Sequence, residues 1–145
     1  MALYFFIKKE ASIDFNGDLT SLSGYAVGKV RGYSYGKAFD NATYFKQHET
    51  GDEHQLIKML LRGRVDIAVG NKVVINEHAA ALGASDKIIT LHPPFDTTPA
   101  YFAFSKAKKN LGSIANDFSK QIKALLPTEK YKKILKKYHI EPHKP

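Results

Sequence analysis

The sequence predicts an α/β domain with a mostly parallel sheet. Short apolar segments typical of strands alternate with segments whose apolar residues recur at helical spacing. Glycine or asparagine follows several of these segments, where helices and strands commonly end. Such alternation is typical of sheets whose strands are joined by right-handed crossovers. Because 43% of the 145 residues are hydrophobic, the chain can bury a core, which excludes general disorder.

The clearest helix and strand pair occupies residues 56–71. Four apolar residues at i, i+1, i+4 and i+5 predict one side of a helix: Leu56, Ile57, Leu60 and Leu61. Thr50 and Glu53 have the spacing of a capping box at its start, and Gly63 stands where a helix commonly ends in the left-handed conformation. Residues 65–69 are short and mostly branched, which predicts a strand covered on both faces.

The other segments before residue 92 follow the same alternation. Strands are predicted at residues 3–7, 24–30, 43–45 and 88–91, and helices around residues 37–42 and over residues 73–82. Residues 11–23 are polar and predict a loop with one short turn. The first strand has five consecutive apolar residues, so the pattern leaves open whether one or both of its faces are covered.

Residues 92–99 interrupt the periodicity and mark the strongest candidate boundary, because prolines disfavour helices and sheet interiors. A strand is predicted at residues 100–104. Two amphipathic helices follow, separated by Pro127, and Thr128 is placed to cap the second. Their apolar stripes, which need a surface to cover them, consist of Ile114, Phe118, Ile122 and Leu125 in the first helix and Tyr131, Ile134, Leu135 and Tyr138 in the second.

The net charge of +8 comes entirely from the C-terminal part of the chain. Residues 1–100 hold 11 basic and 11 acidic residues, whereas residues 101–145 hold 11 lysines and 3 acids. A solvated helix face accounts for these lysines; the alternative is an interaction module that binds nucleic acid or a protein. The chain has no cysteine, which excludes disulfides and thiolate metal sites. No segment approaches the roughly 20 apolar residues of a membrane-spanning helix, and the N-terminus lacks the pattern of a secretory signal.

Two places are candidates for ligand binding. Residues 32–36 follow a strand and open a helix, where backbone N–H groups favour a carboxylate or phosphate; the alternative is a turn with a purely structural role. Asn71 follows the 65–69 strand at the sheet edge where α/β proteins bind ligands, although it could simply hold its turn. The glycine spacing fits no nucleotide-binding motif, and the six histidines form no metal-binding motif. No catalytic set is recognised, so we expect a protein without enzymatic activity, cofactor or metal.

Three blocks in order, residues 22–36, 60–71 and 101–106, resemble the bacterial extracellular solute-binding proteins of family 3, the polar amino-acid receptors of ABC importers. The resemblance implies two α/β lobes of the type II periplasmic-binding-protein fold, joined by crossover strands at residues 3–7 and 99–104. Residues 1–98 would then form lobe two, and residues 99–145 would contribute the second crossover strand and the C-terminal helices of lobe one. The rest of lobe one would be absent.

The resemblance also implies the site. The residues expected to contact the carboxylate end of the solute are Arg31, Gly32, Tyr33, Ser34 and Tyr35. Asn71 stands where amino-acid receptors usually carry an aspartate that holds the α-ammonium group. A neutral amide loses the charge-assisted part of that bond, roughly 1 kcal/mol or more. This departure argues against an ordinary L-amino acid as the solute.

The function implied by the resemblance is binding of a small polar solute, such as an amino acid or a small carboxylate. The protein would be periplasmic and would deliver the solute to a membrane permease; a ligand-sensing role in a signalling protein is the alternative. Nucleic acid is not an expected partner. Without the rest of lobe one, five apolar residues are expected to be exposed and to drive dimerisation, through exchange of the C-terminal helices between chains: Phe102, Phe104, Ile114, Phe118 and Ile122.

Overall fold

The structure is a computed structural model that describes residues 2–97, 101–105, 111–138 and 140. It divides into two compact units, Met1–Pro99 and Ala100–Pro145. The division falls next to the boundary predicted at the proline-rich residues 92–99. None of the helices in the described part of the chain is long and apolar enough to cross a membrane.

The first unit contains one five-stranded sheet with helices on both faces. Its strands are β1 Leu3–Lys8, β2 Ala26–Val30, β3 Lys46–Thr50, β4 Ile67–Asn71 and β5 Ile88–Thr90. Its helices are α1 Lys37–Asp40, α2 Glu53–Leu61 and α3 Lys72–Ala81, with a short 3-10 helix at Leu19–Leu22. The α/β prediction is confirmed, and so is the single short turn within the loop at residues 11–23.

The strand order is β3-β2-β4-β1-β5. β2 runs parallel to β3 and β4, whereas β1 runs antiparallel to both of its neighbours, β4 and β5. Four strands therefore point in one direction, and β1 alone points in the other. The prediction of a mostly parallel sheet holds for the strand directions, with β1 as the exception.

β1 settles the question that its apolar run left open, because both of its faces are covered. Leu3, Phe5 and Ile7 belong to one core cluster, and Tyr4 and Phe6 belong to a second cluster on the opposite face. This follows from the alternation of side chains along a strand, which sends successive residues to opposite faces. A strand paired on both edges and covered on both faces has no exposed side, so every position can be apolar.

The helices cover the two faces according to the direction of each crossover. The connection from β2 to β3 moves one way across the sheet, and its Phe39 in α1 packs in the cluster of Phe5. The connections from β3 to β4 and from β4 to β5 move the other way, and Leu56 of α2 and Ile75 of α3 pack in the opposite cluster. Opposite directions on opposite faces are what a single crossover handedness requires.

Three of the shifts from the predicted boundaries have a clear physical reason. α2 is capped two residues later than predicted: Asp52, not Thr50, accepts the N–H of Gln55 at 2.7 Å. The Gln55 side-chain oxygen accepts the N–H of Gly51, the residue before the cap, at 3.4 Å. β3 occupies Lys46–Thr50 instead of residues 43–45. It is an edge strand paired on one side only, so its residues are largely polar and give no apolar run.

The third shift concerns β4, which was predicted at residues 65–69 and lies at Ile67–Asn71. Asp66 precedes the strand and exchanges two 2.8 Å bonds with Ala26: its N–H donates to the Ala26 carbonyl, and its carboxylate accepts the Ala26 N–H. At the other end, pairing of Asn71 with Leu3 extends the strand. Gly63 adopts φ = 67° after α2, which confirms the predicted left-handed end of that helix.

Tyr35 belongs to the core of the first unit and is only 3% exposed. Its ring lies against Phe39, with centroids 5.4 Å apart, and its hydroxyl oxygen accepts the N–H of Val30 at 3.0 Å. Burial raises the pKa of Tyr35 to about 12, and the negative charges of Glu53 and Asp40 act in the same direction, while the bond from Val30 opposes them. The ring is therefore not available to stack on a solute, and only the backbone of Tyr35 remains a candidate contact.

The second unit contains helices α4 Leu111–Leu125 and α5 Glu129–Lys137. Thr128 caps α5, since its hydroxyl accepts the N–H of Tyr131 at 3.3 Å, as predicted. Residues 101–105 are not in a strand, which makes the predicted strand at residues 100–104 wrong for the part that is described; Ala100 lies outside the described residues. Phe102 and Phe104 instead pack edge-to-face on Phe118, with centroids 4.9 and 5.8 Å apart.

No described residue of the second unit is buried. Phe102 is 77% exposed and Ile114 51% exposed, in keeping with the prediction that these apolar stripes need a covering surface. The lysines of α5 are also exposed: Lys130, Lys132, Lys133, Lys136 and Lys137. The unit therefore has amphipathic helices but no hydrophobic interior within its described residues.

We expect Gly28→Ala to destabilise the first unit by about 1 to 3 kcal/mol. A Cβ at this position in β2 would lie 2.6 Å from Leu56 Cδ1 and 3.1 Å from Val65 Cγ2, both of buried side chains. Urea unfolding followed by circular dichroism measures the change. Gly51→Ala is the matched control, since its Cβ would meet only ordinary contacts at 3.5 Å or more; equal stability of the two variants would contradict the close packing of α2 on β2.

The burial of the Tyr35 hydroxyl predicts a pH dependence of stability that Tyr35→Phe removes. Because the pKa of Tyr35 is raised to about 12, against about 10 in the unfolded chain, the folded state keeps this proton after the unfolded state has lost it. The stabilisation is complete below about pH 10 and falls by about 3 kcal/mol as the pH rises from the pKa of the unfolded state to that of the folded state.

The measurement is the difference in unfolding free energy between the wild type and Tyr35→Phe, at several pH values from about 9 to 11.5. Comparing the two proteins cancels the titration of all other groups. The wild type should be more stable by about 1 to 3 kcal/mol at the lower end, where the variant leaves the Val30 N–H without its partner, and this margin should shrink as the pH rises. A margin that stays constant would show that Tyr35 titrates as an exposed tyrosine.

Candidate functional site

The candidate site lies at one edge of the sheet, which we call the carboxyl edge because β2, β4 and β5 all end there. β2 is parallel to β4, and β1 is antiparallel to both β4 and β5, so these three strands share one direction. Val27 is opposite Ile67 and Gly28 is opposite Ala68, so the end of β2 comes level with the end of β4. The sheet therefore brings the turn at residues 31–36 and Asn71 to the same edge, as the sequence predicted.

The 31–36 turn connects β2 to α1 and contains glycines with positive φ at both of its ends, 82° at Gly32 and 92° at Gly36. Tyr33 projects between them with 58% of its surface exposed. Its ring centroid is 6.4 Å from that of Tyr35, which lies in the core beneath. Of the two tyrosines proposed for the site, Tyr33 is accessible for stacking on a solute.

The turn is braced by Asp40 at the end of α1. The Ser34 hydroxyl donates to Asp40 Oδ2 at 2.8 Å, and the Tyr35 N–H donates to Asp40 Oδ1 at 3.2 Å. The Gly36 N–H points to the Ser34 hydroxyl oxygen at 3.5 Å, a long contact. The sequence analysis did not single out Asp40, although an acid four residues after a turn glycine can reach back toward the start of its helix.

Arg31 is exposed, and its Nε donates to Glu49 Oε2 at 3.3 Å. The other oxygen of Glu49 lies 3.6 Å from Lys29 Nζ. Glu49 lies on β3, directly beside the end of β2, since Lys29 is opposite Glu49 in the parallel ladder. One carboxylate therefore offsets part of the charge of two cations, and the positive charge that Arg31 brings to the site is reduced.

Asn71 caps α3. Its side-chain oxygen accepts the N–H groups of Val73 and Val74 at 3.0 and 3.4 Å, and its amide nitrogen donates to the Ala2 carbonyl at 3.4 Å. The alternative that Asn71 holds the turn after its strand is therefore the role seen in the structure. Its side chain is half-buried at the carboxyl edge, so the capping role and a contact with a solute are compatible.

Asp96 is a further acidic residue at the carboxyl edge that the sequence analysis did not identify. It follows β5, and its carbonyl oxygen accepts the Leu3 N–H at 2.8 Å. Its carboxylate lies against Gly36, where a Cβ would be 2.9 Å from Asp96 Oδ2. A cavity of ≈ 300 Å³ opens between Tyr35, Gly36 and Lys37 on one side and Phe95 and Asp96 on the other. The only signal in the sequence was the position of Asp96 just beyond a strand end.

The arrangement provides hydrogen-bonding groups, both signs of charge and one exposed aromatic ring, which suit non-covalent binding of a small polar molecule. Among the described residues, no group of three or more histidine, aspartate or glutamate side chains could hold a metal ion. Every buried side-chain nitrogen and oxygen atom of the described residues has a hydrogen-bond partner.

No protein-family model matches the sequence, and no curated protein matches it either. Solved structures do match. The P235GK mutant of ArgBP from T. maritima is similar with a TM-score of 0.75 and 15% identity, over 95% of this chain and 57% of that chain. An ancestral arginine-binding protein bound to glutamine has a TM-score of 0.72 and 19% identity, over 97% of this chain and 60% of that one. The substrate-binding protein of an amino acid ABC transporter has a TM-score of 0.69 and 18% identity, with 94% and 58% coverage.

The chain thus spans about three fifths of the length of these proteins. At such low identity, the similarity establishes the fold. The five-stranded sheet with helices on both faces is the lobe architecture of the type II periplasmic-binding-protein fold, as the sequence predicted. The similar structures named above include an ancestral arginine-binding protein and the substrate-binding protein of an amino acid ABC transporter.

Proposed function

We propose that this chain is a non-catalytic solute-binding part of an ABC-type importer that binds a small polar solute, such as an amino acid or a small carboxylate. The observation that carries the proposal is the meeting of the 31–36 turn and Asn71 at one carboxyl edge, where α/β sheets bind ligands. The similarity to amino-acid-binding proteins supports the same conclusion.

The proposed contacts are the side chains of Arg31, Tyr33 and Ser34, the backbone at Gly32 and Tyr35, and the side chain of Asn71. Tyr33 would lie against the solute because it is the exposed ring of the turn. Asn71 supplies an amide where a carboxylate would hold an ammonium group, so a solute that depends on a strong ammonium contact at Asn71 is disfavoured. Within the proposal, binding requires no metal and no cofactor.

We also propose how the chain is divided between lobes. Residues 1–98 would be lobe two, with β1 as the first crossover strand, and residues 99–145 would belong to lobe one. The similar structures are longer than this chain, which covers about three fifths of their length. In that setting the protein would act in the periplasm and deliver its solute to a membrane permease, or would sense the solute for a signalling protein.

The apolar surface of the second unit motivates a further part of the proposal, a homodimer. Phe102, Ile114 and Ile122 are all exposed, and apolar surfaces of this kind associate. If two copies exchanged α4 and α5, these apolar side chains of one copy would be covered by residues of the other copy.

Solute binding is tested with Asn71→Asp. Aspartate is as good a helix cap as asparagine, so α3 should be retained, while the new charge should tighten binding of solutes that carry an ammonium group. We expect the wild type to bind L-arginine and L-glutamine weakly and Asn71→Asp to bind them about tenfold more tightly, equivalent to about 1.4 kcal/mol. Isothermal titration calorimetry and amide chemical shifts at residues 31–35 and 71 are the measurements.

Asn76→Asp is the matched control, because it makes the same change of charge on the exposed surface of α3. It should leave the affinity unchanged. Equal effects of the two substitutions would mean that only net charge matters, and the absence of any shift at residues 31–35 and 71 with every amino acid tested would contradict the proposed site.

The dimer is tested by sedimentation equilibrium at the highest soluble concentration. The wild type should be a dimer, and the double variant Phe102→Ser with Ile114→Gln should be a monomer, because it removes apolar surface from the proposed interface. Ile89→Thr, which removes an exposed apolar side chain from the first unit, should remain a dimer. A monodisperse wild-type monomer would contradict this part of the proposal.

A further inference from the structure

The donors of the 31–36 turn already hold a carboxylate that belongs to the chain itself. Asp40 accepts the Ser34 hydroxyl at 2.8 Å and the Tyr35 N–H at 3.2 Å, one on each of its oxygens. This two-point contact is the geometry by which a hydroxyl and a backbone N–H would bind a carboxylate from outside. A solute carboxylate can reach these two donors only by displacing Asp40.

The charges around the turn also disfavour an incoming anion. The carboxylate of Asp96 lies against Gly36, on the side of the turn that faces the cavity. Arg31, the cation of the turn, is paired with Glu49. Burial is the main cause of the raised pKa of Tyr35, and the negative charges of Glu53 and Asp40 act in the same direction. Lys37 is the positive residue on the cavity wall.

We infer that Asp40 is a specificity-determining residue that excludes carboxylates from the 31–36 turn by occupying its Ser34 and Tyr35 donors. The inference rests on the proposed function and narrows its solute class. The group that a solute presents to this turn is neutral or cationic, such as an amide, a hydroxyl, an amine or a guanidinium group. A solute that needs a carboxylate bound at Ser34 and Tyr35 is rejected.

A purely structural role for Asp40, holding the turn in shape, predicts a different outcome. If Asp40 only braces the turn, its removal loosens residues 34–36 and creates no anion site. If Asp40 occupies an anion site, its removal uncovers the donors, and external carboxylates bind where its oxygens were. The two variants Asp40→Asn and Asp40→Ala separate these cases, because asparagine keeps an accepting oxygen without the charge and alanine keeps neither.

The test is a titration of the complete chain with sodium acetate at constant ionic strength, followed by the amide ¹H–¹⁵N shifts of Ser34, Tyr35 and Gly36. We expect the wild type to show no saturable shift there. Asp40→Ala should show a saturable shift, with an acetate affinity about tenfold or more above the limit that the wild-type titration sets, as expected for loss of a competing charged hydrogen-bond partner. Asp40→Asn should fall between the two proteins. Asp86→Asn, an exposed acid in the loop before β5, should behave as the wild type.

Saturable acetate binding by the wild type at residues 34–36 would overturn the inference, and so would the same response in the wild type and both Asp40 variants. Binding of L-arginine or L-glutamine by the wild type, measured on the same samples, tests the proposed function separately. Amino-acid binding without any effect of Asp40 would leave the solute-binding role in place and remove the exclusion. Acetate binding gained in the variants, without amino-acid binding by the wild type, would support the exclusion of carboxylates by Asp40 and contradict the proposed solute-binding role.

Discussion

The antiparallel pairing of β1 with both of its neighbours, β4 and β5, determines the arrangement of the first unit. β1 separates β4 from β5, pairs with both and is covered on both faces. Its reversed direction lets β4 and β5 point the same way although they are not neighbours. Its first residue, Leu3, lies opposite Asn71 and is also bonded to Asp96. The start of β1 thus ties together the segments that follow β4 and β5, and this makes the carboxyl edge a single surface.

At the carboxyl edge, the residues proposed to contact a solute also have structural roles. Asn71 caps α3, Tyr35 anchors the turn in the core, and Asp40 holds Ser34 and the Tyr35 backbone. Arg31 is tied to Glu49 on the edge strand. A turn held at so many points is preorganised, so a solute that fits it would lose little affinity to ordering of the protein. Several of its polar groups are already bonded within the chain, and under the proposed function these bonds would restrict which solutes can bind.

The second unit differs in kind from the first. The first unit has two apolar clusters, one on each face of its sheet, whereas the described residues of the second include none that are buried. An amphipathic helix obtains most of its stability from tertiary packing of its apolar face. α4 and α5 have strong apolar faces, and a surface that covers them would contribute to their stability. This physical reason connects the exposed stripes to both the proposed lobe one and the proposed dimer.

The sequence alone was sufficient to predict the alternation of strands and helices, the left-handed end of α2 at Gly63, the Thr128 cap and the apolar stripes of α4 and α5, because these depend on local propensity and periodicity. It also identified the 31–36 turn and Asn71, because each follows a strand. Tertiary packing sets the direction of β1 against its neighbours, makes the polar residues 46–50 an edge strand, and buries Tyr35 in the core while Tyr33 is exposed. It alone brought Asp40 and Asp96 to the turn. Strand order, strand direction and long-range contacts are set by which surfaces pack together, and no local pattern in the chain encodes them.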